Sequence, residues 1–136
     1  MSAGAITLAE IKSVDWSLAL GAIGEVVEGI GDVAQCIRII LTTPKGSDPL
    51  RPTFGADVWQ YIDRPLNLAV PSIVREVTEA ITLWESRVQV LSVSAQPATG
   101  SVGQLVVTLT WQLKLGAGGA AVQSTSVTIP TAILGA

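Results

Sequence analysis

From Gln104 to Leu115 the chain alternates, with Leu105, Val107, Leu109, Trp111, Leu113 and Leu115 on one side and Gln104, Val106, Thr108, Thr110, Gln112 and Lys114 on the other. A period of two predicts a long strand with one buried face. Upstream, the β-branched run Val88 to Val93 ends in Gln96-Pro97-Ala98-Thr99-Gly100, and downstream Gly116 to Gly119 lead into Val122 to Ile129. Breakers between apolar runs predict three strands in an antiparallel meander.

The first half follows another period. Val33, Cys36, Ile37, Ile40 and Leu41 share one helical face, which predicts a helix over 32–42 with Asp32 capping its start. Ile73, Val77, Ala80, Ile81 and Trp84 predict a second helix, capped from Asn67, with Pro71 in its first turn and a strand beginning near Arg87. Between them, residues 42–55 hold three prolines and two glycines, the mark of a loop of fixed shape. Asp57 to Ile62 suggests a short helical turn, and Trp16 to Leu20 with Glu25 to Glu28 a hairpin around Gly21 and Gly24. The expected fold class is α+β: a small single domain with an N-terminal hairpin and two main helices packed on a mainly antiparallel sheet ending in a three-stranded meander. Residues 1–13 read as an arm, 14–130 as the domain and 131–136 as a tail.

Composition changes this picture in one respect. Charged residues are 14% of the chain, against roughly 25% in an average domain, and the last 49 residues carry a single charge, Lys114. Edge strands are ordinarily guarded by charge, proline or bulges, so the meander reads as a weakly guarded surface. Mean hydropathy is +0.52, yet no apolar run approaches the roughly 18 residues of a membrane span. Met1 to Ile11 lacks the basic start and apolar stretch of a secretory signal, so synthesis in a cytoplasm is expected. A net charge of −3 gives no general attraction to nucleic acid. The expected partner is protein.

Catalytic chemistry finds little material. The chain has no histidine, and its one cysteine, Cys36, lies on an apolar helix face where a thiol reads as a small buried hydrophobe. One cysteine supports neither an intrachain disulfide nor an ordinary zinc site. Gly21, Gly24, Gly29, Gly31 and Lys45-Gly46-Ser47 match neither a dinucleotide fingerprint nor a Walker loop. Asp57, Asp63 and Glu85 are the candidates for a paired-carboxylate glycosidase, but each has a structural reading as helix cap, turn residue or ion-pair partner. Trp16, Trp59, Trp84 and Trp111 read as core, with Trp59 the exception because it follows the irregular loop. Glu85 and Arg87, two apart at a helix-to-strand junction, are placed to pair or to grip one polar partner group. No catalytic, cofactor or metal residue is assigned.

Taken together, Ile37-x-x-Ile40-Leu41-Thr42-Thr43-Pro44-Lys45-Gly46-Ser47, then Pro52-x-Phe54-Gly55-x-Asp57, then a helix ending Trp84-Glu85-Ser86-Arg87, resemble the baseplate wedge, or sheath-initiator, family of contractile phage tails and type VI secretion systems. Relatives commonly carry proline where Ser86 stands. The resemblance implies a structural subunit of the virion tail baseplate, made in the host bacterial cytoplasm. It would join wedge proteins and template the first ring of tail sheath protein by intermolecular strand pairing. It implies a six-fold hetero-oligomeric assembly, with tube or hub proteins as further candidate partners and neither nucleic acid nor membrane. The interface residues it suggests are Glu85, Arg87, Phe54, Gly55 and Trp59, with Ser124 and Ser126 on the meander. The family's lysozyme-like label implies the alternative of a cell-wall muramidase; a freestanding ligand-binding module is a third reading.

Overall fold

The two periods of the sequence separate into helices and strands along the chain. A computed structural model describes residues 6–7, 15–61, 64–100, 104–114 and 122–130. The elements are β1 (Ile6–Thr7), β2 (Trp16–Leu18), β3 (Glu25–Glu28), α1 (Ile30–Thr42), a 3-10 turn (Val58–Tyr61), α2 (Leu66–Trp84), β4 (Val88–Pro97), β5 (Gln104–Leu113) and β6 (Gln123–Pro130). The fold is α+β with two antiparallel three-stranded sheets, ordered β1-β3-β2 and β4-β5-β6.

The alternating segment forms β5, the centre of the meander. Leu105, Val107, Leu109 and Trp111 are buried, and Val127 and Ile129 of β6 extend the same face. Both helices pack on it through the predicted stripes, Val33, Ile37, Ile40 and Leu41 from α1 and Ile73, Val77, Ala80 and Ile81 from α2. Trp111 is fully buried, and its Nε1 donates to the Thr125 hydroxyl at 3.0 Å, which removes the cost of an orphaned indole N–H. The opposite face stays polar. Its cross-strand rows Ser94–Thr108–Ser126 and Ser92–Thr110–Ser124 carry no charge.

Both helix starts differ from expectation. α1 begins at Ile30, where Gly29 turns the chain out of β3 at φ 62, and no side chain caps it. Asp32 is not a cap, because its carboxylate points inward to Arg87. α2 begins after Pro65, whose carbonyl accepts the N–H groups of Leu68 and Ala69, so Asn67 lies inside the helix instead of capping it. Pro71 therefore sits in the second turn, and the carbonyl it leaves without an intrahelical donor belongs to Asn67, which is exposed to water. The strand pairing of Ile6 and Thr7 with Glu25 and Val26 adds a third strand to the predicted hairpin.

The Pro-rich loop is fixed by its own contacts. Asp48 accepts the Leu50 N–H, which with Arg51 holds its carboxyl below the usual range. Arg51 stacks 4.0 Å above the Phe54 ring, and Lys45 pairs with the buried Glu76 of α2 at 3.2 Å. Phe54 is buried and meets Trp84 edge-on at 5.2 Å, while the Trp84 indole donates to the Thr53 carbonyl. The loop closes where Ala56 N–H donates to the Thr43 carbonyl, and Gly55 passes that carbonyl at φ +112. A Cβ on Gly55 would stand 2.1 Å from the Thr43 oxygen, whereas Gly46, also at positive φ, has open space around it.

These two glycines give a direct comparison. Gly46→Ala should cost about 1–2 kcal/mol for its left-handed backbone alone. Gly55→Ala should cost clearly more, because it also displaces a backbone carbonyl and a hydrogen bond. Chemical denaturation of the two variants checks this, and equal losses would mean that the Thr43 closure does not hold the loop.

Candidate functional site

Arg87 follows α2 by a two-residue turn. Glu85 ends the helix with its N–H on the Ile81 carbonyl, and its own carbonyl accepts the Val88 N–H in a tight turn that brings the side chains of Glu85 and Arg87 together. Arg87 Nε meets Glu85 Oε1 and Nη2 meets Oε2, both at 2.7 Å, a two-pronged pairing of guanidinium and carboxylate. Nη1 reaches Asp32 Oδ2 at 3.0 Å and Asp15 Oδ1 at 3.2 Å, and Nη2 donates to Cys36 Sγ at 3.6 Å. A guanidinium has five N–H donors, and all five are matched here.

The cluster joins the foot of the hairpin, the buried face of α1 and the end of α2. The Glu85 and Asp32 side chains are 6% and 5% exposed. Hydrogen bonding to Glu85 pushes the Arg87 guanidinium above its ordinary range against partial desolvation, with Asp32 adding to the rise. Cys36 corrects the expectation of a buried hydrophobe: it is half-buried in this polar cluster. Burial raises its thiol, Asp32 and Glu85 add to that, and Arg87 opposes it, so the thiol is protonated at neutral pH and is a poor nucleophile. Sequence spacing exposes the Glu85–Arg87 pair, but Asp32 and Cys36 lie 55 and 51 residues from Arg87. The available signal was an aspartate one helical turn before Cys36, beside the apolar stripe.

The other interface candidates lie elsewhere. Phe54 and Gly55 are buried inside the loop. Trp59 is partly buried against the core, and its Nε1, shielded from solvent, has no hydrogen-bond partner among the described residues. The tryptophan left most exposed is Trp16, at 44%, which corrects its assignment to the core. Ser124 and Ser126 are exposed on the polar face of β6. Of the glycosidase candidates, Glu85 has both oxygens on Arg87, and Asp57 accepts from the Gln60 side chain where a helix cap was expected. Asp63 lies outside the described residues.

The meander has two outer edges. β4 carries a bulge between Val90 and Ser92, a device that discourages pairing, and β4 and β6 both end in a proline. β6 keeps unbroken register with β5 from Gln123 to Pro130, and no described strand pairs with its other side. β5 is central and closed to partners.

A sequence profile described as baseplate wedge protein gp25 matches residues 27–116. No curated protein sequence matches. Among solved structures, a Geobacter sulfurreducens protein provisionally named a tail lysozyme is 30% identical with a TM-score of 0.60, the alignment covering 72% of this chain and 88% of that one. A chain of the anti-feeding prophage baseplate, six-fold symmetrised, is 20% identical with a TM-score of 0.61, over 79% and 86%. One from the type VI secretion baseplate complex is 17% identical with a TM-score of 0.57, over 73% and 92%. These last two show a shared fold. Together with a profile match over well more than half its length, the 30% identity establishes that this chain belongs to the baseplate wedge protein gp25 family, whose members are baseplate components of contractile tails.

Proposed function

We propose that the chain is a non-enzymatic baseplate subunit that joins wedge proteins and offers β6 to a strand of the tail sheath protein, so that the first sheath ring forms on it. The observation that carries this is the outer edge of β6, eight residues in continuous register beside a face without a single charge. Backbone hydrogen bonds along that edge would supply affinity, and the alternating side chains would supply register. Six copies in a six-fold baseplate would present six such edges, with tube or hub proteins as further neighbours.

Arg87 acts in this scheme as a brace. With all its donors occupied inside the chain, it positions Glu85, the hairpin and α1 for wedge neighbours instead of gripping them itself. Phe54 and Gly55 act from within as well, by fixing the loop's outline, and partly buried Trp59 adds an aromatic edge beside it. A muramidase reading has less support, because Glu85 is engaged on both oxygens and Asp57 is occupied by Gln60.

Three outcomes follow from this reading. Arg87→Lys keeps the charge but loses the planar pairing, so denaturant unfolding should show a loss of about 2 kcal/mol or more. Its assembly defect should recede on cooling; unchanged stability with abolished assembly would mean that Arg87 contacts a partner directly. Ser124→Pro or Ser126→Pro removes a backbone N–H from β6, whereas Ser126→Lys keeps it. Electron microscopy should show that the proline variants yield baseplates on bare inner tubes more often than the lysine variant, and full-length sheath on the proline variants contradicts strand pairing. In a peptidoglycan zymogram the purified chain should give no clearing, and clearing that disappears in Asp57→Asn or Glu85→Gln would favour the enzyme.

A further inference from the structure

The hairpin sheet also has an outer edge, on β2, and it is a more apolar one. Along β2 the N–H of Ala19 donates to Glu25 and the carbonyl of Asp15 accepts from Gly29, so odd-numbered residues bond inward to β3 and even-numbered ones face outward. The outward groups at Leu18 and Leu20 are those an added strand would use. Two of them, the Leu18 carbonyl and the Leu20 N–H, are taken by one side chain. Gln35, on α1, accepts the Leu20 N–H at Oε1 (3.0 Å) and donates from Nε2 to the Leu18 carbonyl (2.7 Å), with a further bond from Nε2 to the Ser17 hydroxyl (2.9 Å). Its amide presents one acceptor and one donor side by side, the same pair that a neighbouring peptide backbone would offer.

Around this contact Trp16, Leu18 and Leu20 are 44%, 61% and 62% exposed. An unsatisfied strand edge beside exposed apolar side chains invites pairing with other chains. No described strand pairs with the outer edge of β6. We propose that Gln35 is an edge plug: its amide stands in for a strand on β2 and closes that edge to strand addition, which favours β6 as the edge where a partner strand is received. The second clause rests on the function proposed above; the first stands without it.

The test uses the purified full chain, so it reads the plug independently of sheath assembly. Gln35→Leu keeps length and helix propensity but removes both polar contacts. The Leu20 amide should exchange with solvent about two- to tenfold faster than in the unmodified chain, the effect of one lost hydrogen bond. Sedimentation velocity should show concentration-dependent association absent from the unmodified chain, and Leu18→Lys in the same background should reverse it by placing charge at the opened edge. Circular dichroism identifies a Gln35→Leu chain that has simply unfolded, and Gln35→Asn, which is too short to span both groups, then replaces it with the same expectations. Unchanged Leu20 exchange, or a variant that exchanges faster yet stays monomeric at every concentration, overturns the plug.

Discussion

A guanidinium holds five N–H donors in one plane, and around Arg87 each meets an acceptor drawn from the hairpin, α1 or the turn that ends α2. The hairpin and the meander are separate sheets, and this is the polar contact that joins the foot of one to the start of the other through the face of α1. Removing Arg87 would leave the buried carboxylates of Glu85 and Asp32 without their counter-charge, which is costlier than the pairs are stabilising. That makes the position intolerant of lysine, a point charge without the planar fork. The pairing also fixes the exit from the helix: Glu85 and Arg87 lock each other across Ser86.

The functional surface depends on that frame in a simple geometric way. α1 and α2 cover one face of the meander, so β5 is enclosed and what the meander presents outward is its edges and its polar outer face. The bulge interrupts the β4 edge, and Gln35 occupies the β2 edge of the other sheet. Stability and specificity thus have different sources here. Apolar burial and the Arg87 cluster hold the fold, while the β4 bulge and Gln35 act on strand edges.

Much of this was legible in the residues. Alternation over 104–115 and the two helical stripes gave the elements, because burial on one face leaves a periodic trace. The loop's fixed shape was legible too, from its prolines and glycines. The helix starts were not, since Gly29 and Pro65 begin their helices through backbone geometry and leave Asp32 and Asn67 as misleading cap signals. Nor were the long-range partners of Arg87 or the reach of Gln35 to Leu18 and Leu20, 17 and 15 residues away, because side-chain bonds between distant segments leave no periodicity. Trp16 failed for a related reason: it stands on β2, an outer strand of its sheet, and hydrophobicity alone does not separate an edge position from the core.

The central claim is that β6 receives a strand from the sheath. Cryo-electron microscopy of the assembled, uncontracted tail at side-chain detail would read it directly. The account predicts a strand of a sheath subunit hydrogen-bonded along residues 123–130, with β2 still closed by Gln35. A map in which the outer edge of β6 faces solvent or the protein's own chain, while sheath contacts lie elsewhere, would contradict it.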